Sequence, residues 1–420
     1  MVSHMASTFD IDAVREQFPA LQKRVGDHRA IYFDGPAGSQ VPQRVADAVH
    51  DYLLETNANH EGTFATSQES DRILELTHAA VADFLGAPDA DCVSFGANMT
   101  SLTFALSRAL AKTWRAGDEI IVSRLDHDAN VTPWVLAAKD VGVKVNHLEF
   151  QTPDCTLDLE QYAALLNEKT RLVAVGFASN VTGTINPVEE MTQQAHSVGA
   201  EFFIDAVHYA PHGLIDVQQI DCDYLICSAY KFFGPHIGVM YGKRSRMEKL
   251  QPYKLRPAPD SLPGRWMTGT QNHECIAGTL AAIDYLSDLG SHLEPQASDR
   301  RTSIEAAFRG ITDYENKLSA YFLKQIAEFK GITVWGMTNP QQLHERTPTF
   351  SMTDSSKTPM EIAKDLAREG IFSWAGNHYA LPFTTAAGLE PEGVLRVGFL
   401  HYNTTAEIDR LIDVLRTILC

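Results

Sequence analysis

Lys231 and Asp205 are the two residues whose types and placement suggest chemistry. Lys231 follows an apolar run, Tyr224 to Cys227, that ends at Ser228, and it stands in a short turn closed by Gly234-Pro235. A second apolar run, Ile237 to Tyr241, leaves that turn. A lysine between two core-going segments is largely walled off from water. Burial disfavours its ammonium form, and the neutral amine is a nucleophile toward a carbonyl. Ser228 and Tyr230 bring hydroxyls to the same turn, suited to holding a phosphate. Upstream, Asp205 closes the apolar run Phe202 to Ile204. An aspartate at the carboxyl end of a parallel strand faces the crevice where open α/β sheets bind ligands; a helix N-cap is the other reading of such a residue. Strand, Asp, crossover, strand, Lys is the layout expected around pyridoxal 5'-phosphate (PLP). The lysine reacts with the aldehyde, and the aspartate pairs with the protonated pyridine nitrogen, which keeps the ring an electron sink.

Two further stretches carry a charge argument. From Cys92 the chain reads as a strand, Gly96, the polar turn Asn98-Met99-Thr100, and a helix through Leu110. A helix N-terminus offers free backbone N–H groups to a phosphate, and the glycine–lysine spacing of a Walker loop is absent. Joined to Asp205 and Lys231, this turn becomes the expected phosphate cup, with Asn98 and Met99 contributing backbone and Thr100 close by. Arg396 stands inside the apolar run Val394 to Leu400. A buried, unpaired guanidinium is costly, so an anion must face it. Either a nearby acid or a substrate α-carboxylate, held by two parallel hydrogen bonds, satisfies that need.

The elements that must position these residues have a βαβ rhythm. Strands are expected near 93–95, 119–123, 143–148, 171–177, 201–205 and 223–228, with helical stretches between them. This is the pattern of a mostly parallel sheet covered on both faces, an α/β fold. Helices are expected at 42–55, 71–85, 274–289, 298–329, 359–369 and 406–419, with small-domain strands near 333–335, 349–352 and 371–374. An amphipathic arm, broken at Pro19, is expected within 1–30, followed by a large domain (31–290) and a small α+β C-terminal domain (291–420). Met1 to Met5 reads as an appended leader before a natural start. The formal charge of −18 argues against a nucleic-acid or anionic membrane surface. No apolar stretch approaches the roughly 18 residues of a membrane span. Six scattered cysteines without metal-type pairs point to no metal and to reduced thiols in a cytoplasmic setting. The odd separation of Cys222 and Cys227 predicts opposite faces of one strand.

Ile204-Asp205-Ala-Val-His208-Tyr-Ala-Pro-His and Ser228-Ala-Tyr-Lys231-Phe-Phe-Gly-Pro-His-Ile-Gly resemble the class V aminotransferase and cysteine desulfurase group of fold-type I PLP enzymes, and more narrowly its desulfurase-like branch. The resemblance runs from about Tyr32 to Thr404. It implies that His127 lies flat on the cofactor ring, whereas a lone histidine there would read as an ordinary loop residue. It also implies that Asn180 donates to the phenolate oxygen, with His208 sharing that task where desulfurases usually carry glutamine. The loop Asp34-Gly-Pro-Ala-Gly-Ser would face the substrate, and Arg396 would hold the substrate carboxylate. Arg265 to Asn272 resembles a loop that crosses to a neighbouring subunit, so a homodimer with Thr270 reaching its partner's phosphate is implied. The family's nucleophilic cysteine sits in a Gly-His-His-Cys-Ala-like context; here Ala375-Gly-Asn-His378-Tyr379-Ala380 stands in its place. A phenol is a poor thiophile and cannot form a persulfide. Tyr379 is left as packing, a donor to the substrate beside His378, or a general acid.

The expected activity is a PLP-dependent carbon–sulfur lyase acting on cysteine- or cystine-type amino acids. Decarboxylative aldol-type carbon–carbon bond formation, transamination and epimerisation remain alternatives on the same scaffold. A PLP carrier without turnover is the non-enzyme alternative, although a mere carrier has no need of Arg396. A dehydrogenase is disfavoured because no Gly-x-Gly-x-x-Gly turn opens the sheet.

Overall fold

The computed structural model describes residues 9–419, so the leader Met1 to Met5 lies outside the described residues. The arm begins with a short helix, Ile11–Glu16, capped by the Asp10 side chain. A 3-10 turn follows at Pro19–Gln22, where the proline removes the donor that a continuing helix needs. Val14, Phe18 and Leu21 anchor the arm in the core.

In chain order, the elements that bear on the site begin with β1 (Ile31–Tyr32), α1 (Gln43–Asp51) and α2 (Ala65–Leu85). Next come β2 (Val93–Gly96), α3 (Met99–Ala111), β3 (Glu119–Ser123) and β4 (Lys144–Leu148). The sheet is completed by β5 (Thr170–Gly176), β6 (Glu201–Asp205), β7 (Tyr224–Ser228) and β8 (Gly238–Gly242). Its order is β2-β8-β7-β6-β5-β3-β4, parallel except for β8, which runs antiparallel to both neighbours. The central strands are buried on both faces, as the continuous apolar runs require. Val173, Val175, Phe202, Ile204, Leu225 and Cys227 fill one core. Leu172, Ala174, Phe203, Tyr224 and Ile226 fill the other. Cys222 joins the same core as Cys227, contrary to the parity argument, because it precedes β7 and the strand alternation does not reach it.

The C-terminal part adds α4 (His273–Leu293), α5 (Arg300–Ile326), β9 (Ile332–Trp335), β10 (Thr349–Asp354), α6 (Pro359–Arg368), β11 (Ile371–Phe372), β12 (Trp374–Gly376), β13 (Val394–Gly398) and α7 (Thr405–Leu419). Strands β9-β10-β13-β12 form an antiparallel sheet over its own core with Phe350, Val397 and Leu411. Strand β1 pairs parallel with β11, and Ile31 and Phe33 pack in this C-terminal core. Helix α5 ties the two parts together. Ile304, Phe308 and Ile311 enter the large core, while Leu318, Phe322 and Ile326 enter the C-terminal one. The described residues contain no helix long and apolar enough to cross a membrane.

Candidate active site

Because β8 is the one reversed strand, β2, β3, β5, β6 and β7 all end at the same edge of the sheet. The chain turns there into a cavity of about 320 Å³. Asp205, the last residue of β6, lines it. Its Oδ1 accepts from the Val207 N–H at 2.9 Å, the local cap expected of an aspartate, while the carboxylate still reaches the crevice. Burial pushes Asp205 up to about 6, opposed by its backbone bond and by Lys231. Lys231 is 7 % exposed on the turn after β7. Its Nζ donates to the Pro36 carbonyl, which brings the loop after Asp34 over the amine. Burial and the Arg396 charge lower Lys231 to about 7, against the pull of Asp205 and Asp34. The amine is therefore substantially neutral at neutral pH.

One end of the cavity is built for an anion. Asn98 caps α3, its Oδ1 accepting from the Ser101 N–H at 2.8 Å. The Met99 N–H donates to Ser228 Oγ at 3.1 Å, which joins the helix start to the end of β7. Asn98, Met99, Thr100, Ser228 and Tyr230 line the cavity together with Lys231. This packing depends on Gly238, since a Cβ there would meet the Asn98 carbonyl carbon at 2.5 Å. The Tyr230 ring stacks on His236 with centroids 5.0 Å apart. Thr270 is exposed and lies outside this cavity, in a neighbouring one with Gln271 and Asn272.

His127 lies on the loop after β3, its Nδ1 accepting from the Ala129 N–H at 3.0 Å. Burial, with the Lys231 and Arg396 charges, lowers it to about 4, so the ring is neutral. Its face carries the Tyr379 ring at 5.4 Å. Asn180 donates from Nδ2 to the His378 carbonyl at 2.9 Å, and the other end of its amide is buried without a partner. His208 also lines the cavity, with its Nε2 engaged by Thr349 Oγ1 at 3.0 Å and Thr347 Oγ1 at 3.2 Å. That nitrogen is thereby tied to the C-terminal sheet. The desolvated amine opposite a carboxylate and the capped helix start fit the aldehyde and phosphate of PLP, whereas Asn180 offers the site only its Oδ1, an acceptor, because its Nδ2 is engaged by the His378 carbonyl, so the expected donation to the phenolate oxygen is not preformed.

Arg396 is 5 % exposed in β13 and donates from Nη1 to the Asn180 carbonyl at 2.7 Å. No carboxylate among the described residues lies within salt-bridge distance of it, so the reading of a fixed acidic partner is set aside. Asp34, with Oδ1 buried and unpaired, is pushed up to about 6 by burial, against the pull of Arg396 and Lys231. Asp126 also lines the cavity, accepting through Oδ2 from the Gly176 N–H at 2.9 Å and Asn130 Nδ2 at 2.8 Å. Its Oδ1 has no partner, and burial drives it up to about 8. Sequence reading placed the Asp34 loop at the substrate without singling out the Asp34 carboxyl, and passed over Asp126. The available signal was an aspartate at a strand exit, the same that marked Asp205.

The loop that carries Tyr379 is tightly constrained. His378 and Tyr379 both adopt left-handed backbone, with φ of 53° and 56°. Gly393 is needed beside it, because a Cβ there would meet the Gly376 carbonyl carbon at 2.1 Å. His378 Nε2 lies 3.2 Å from the Val394 carbonyl, so this side chain braces the loop. Tyr379 is 72 % exposed at the cavity mouth, and its carbonyl accepts from the Asp128 N–H at 2.7 Å.

A family model for class V aminotransferases matches residues 31–411. The chain belongs to the class V aminotransferase family. Members of this family are PLP-dependent enzymes, and this chain is one of them. Within the family it is cysteine desulfurase-like. It is 30 % identical over 425 residues to a cysteine desulfurase of Yersinia pestis (strain Pestoides F), with 98 % of each chain covered. Among solved structures it superposes on an apo cysteine desulfurase of Thermococcus onnurineus NA1 with a TM-score of 0.87, at 27 % identity over 99 % of each chain. A cysteine desulfurase of Escherichia coli in an S-sulfonic acid form gives 0.82, at 26 % identity over 98 % of each chain.

Proposed function

We propose that this enzyme cleaves the carbon–sulfur bond of cysteine-type amino acids without passing the sulfur to a thiol of its own, acting as a homodimer in which Thr270 reaches the neighbouring site. The observation that supports the reading is that no thiol among the described residues lines the site. Tyr379 occupies the loop position, and none of the five described cysteines lines the cavity. Four of them are buried in the core.

PLP, when bound, supplies the electron sink that weakens bonds at Cα. Asn98, Met99, Thr100, Ser228 and Tyr230 would hold its phosphate end, His127 and Asn180 would flank its ring, and Asp205 would pair with the pyridine nitrogen. Arg396 binds the α-carboxylate through its guanidinium fork and orients the substrate. Lys231, a base at neutral pH, takes the proton from Cα at Nζ. The Cβ–S bond then breaks, and sulfur leaves as a thiolate with whatever substituent it carries. Hydrolysis of the three-carbon remainder gives pyruvate and ammonium, so no external oxidant or reductant is needed. Pro36 and the stacked His127–Tyr379 pair screen the amine from water.

Alkylation of every accessible thiol tests the reading. Turnover of L-cysteine or L-cystine by the iodoacetamide-treated, PLP-loaded enzyme is expected to match that of the untreated enzyme. Loss of turnover that tracks modification of one cysteine overturns it.

A further inference from the structure

Beside the catalytic cavity lies a second hollow of about 520 Å³. The two adjoin at Ala37, Tyr230 and Trp374. Asp34 and His236 line the hollow as well, but one wall is apolar. Val41, Val45 and Val49 recur at helical spacing along and just before α1, with Ala46 and Pro235 beside them. An apolar stripe of this period normally packs into a core. Here only Val45 is fully buried, while the stripe continues to Leu53, which is 44 % exposed. Ser39 adds little polarity, because its Oγ already donates to the Tyr230 carbonyl at 3.1 Å and accepts from the Phe233 N–H at 2.8 Å. Trp374 stands at the junction, 53 % exposed. Together with the valine stripe, the exposed indole makes a contiguous apolar patch at the rim of the reaction cavity, the kind of surface that marks a binding site.

We infer that this hollow is a subsite for an apolar substituent on the sulfur of the substrate, so that the preferred substrates are S-alkyl or S-aryl cysteines. The inference rests on the carbon–sulfur lyase reading and narrows it. With the carboxylate on Arg396 and Cα above Lys231, the sulfur substituent extends past Trp374 and Tyr230 into the hollow. A site without an acceptor thiol must release the sulfur together with that substituent. The Cβ–S bond breaks, the thiol departs with a proton, and pyruvate and ammonium account for the remaining atoms.

The test uses PLP-loaded Lys231→Ala protein, in which turnover is stopped, and measures calorimetric dissociation constants for S-benzyl-L-cysteine and S-methyl-L-cysteine. The benzyl compound is expected to bind roughly ten- to a hundredfold more tightly. Adding Ala46→Trp, which fills the hollow from an exposed helix position, is expected to collapse that ratio toward one; using a ratio cancels any general loss of protein quality. Equal affinities, or a ratio that Ala46→Trp leaves unchanged, overturn the subsite; the latter is the outcome if a second subunit covers the hollow. Pyruvate release by the unsubstituted enzyme from S-methyl-L-cysteine is scored separately. A benzyl preference without pyruvate keeps the subsite and overturns the lyase reading, while pyruvate without a preference does the reverse.

Discussion

Arg396 donates to the Asn180 backbone carbonyl at 2.7 Å and meets no carboxylate. The guanidinium comes from the C-terminal sheet and its acceptor from the loop after β5, so the contact spans the two parts of the fold at the cavity. Burial lowers Arg396 to about 9, against the pull of the Asp34 carboxyl and Tyr230. A substrate carboxylate offsets the cost of that burial, which is a source of binding energy as well as of orientation. Arg396→Gln is expected to raise KM for the amino acid roughly ten- to a hundredfold, the worth of a charge-assisted pair, while the visible spectrum of bound PLP stays as in the parent enzyme. Steady-state kinetics beside an absorbance scan checks both halves.

The low position of Lys231 predicts how the cofactor loads. Only the neutral amine attacks the aldehyde, and the neutral fraction grows as pH rises through about 7. The loading rate of cofactor-free protein should climb through neutrality and level off above it. An ordinary lysine would keep the rate climbing toward about pH 10. Stopped-flow absorbance at fixed PLP concentration distinguishes the two profiles.

Asp126 gives a stability prediction. Its folded pKa of about 8 lies above the unfolded value of about 3.9, so the folded state holds an extra proton between them. The associated stability is fully present below the unfolded pKa and is lost as pH rises through about 8. Asp126→Asn keeps the acceptor for Gly176 and Asn130 and removes the titration. The variant should show a flatter dependence of unfolding temperature on pH and overtake the parent protein at the alkaline end. Thermal unfolding of the cofactor-free proteins from about pH 5 to about pH 9 reads this out.

Gly238→Ala tests the anion cup. The added methyl would press on the Asn98 backbone, and the start of α3 must shift to accept it. A loss of roughly 1–3 kcal/mol in stability, the cost of overpacking, should accompany a weaker dissociation constant for PLP. Denaturant titration and equilibrium dialysis measure the two effects.

The sheet and its ligands were legible because strand ends announce themselves. Lys231, Asp205 and Asn98 each follow an apolar run, and a parallel sheet sends all such ends to one edge. Element boundaries were less legible. Helix α2 starts at Ala65 rather than Asp71, since Phe64 offers no side-chain cap to mark the start. The reversal of β8 follows from its short link to β7, since the nine residues between Ser228 and Gly238 are too few for a parallel crossover. The roles of Asp126 and Asp34 as buried carboxyls escaped notice because their surroundings come from segments distant in sequence, Gly176 beside Asp126 and Gly398 beside Asp34. The open side of α1 is not visible in the sequence, since only the fold reveals that Val45 and Val49 border a hollow.

The most direct test of the central claim is to identify the three-carbon product formed from L-cysteine by the PLP-loaded enzyme. Transfer of sulfur to an enzyme thiol leaves alanine, whereas β-elimination leaves pyruvate and ammonium. The account predicts pyruvate in equal amount to the sulfide released, with no sulfur adduct in the intact protein mass. Alanine as the main product, accompanied by a sulfur adduct on a cysteine, would contradict it.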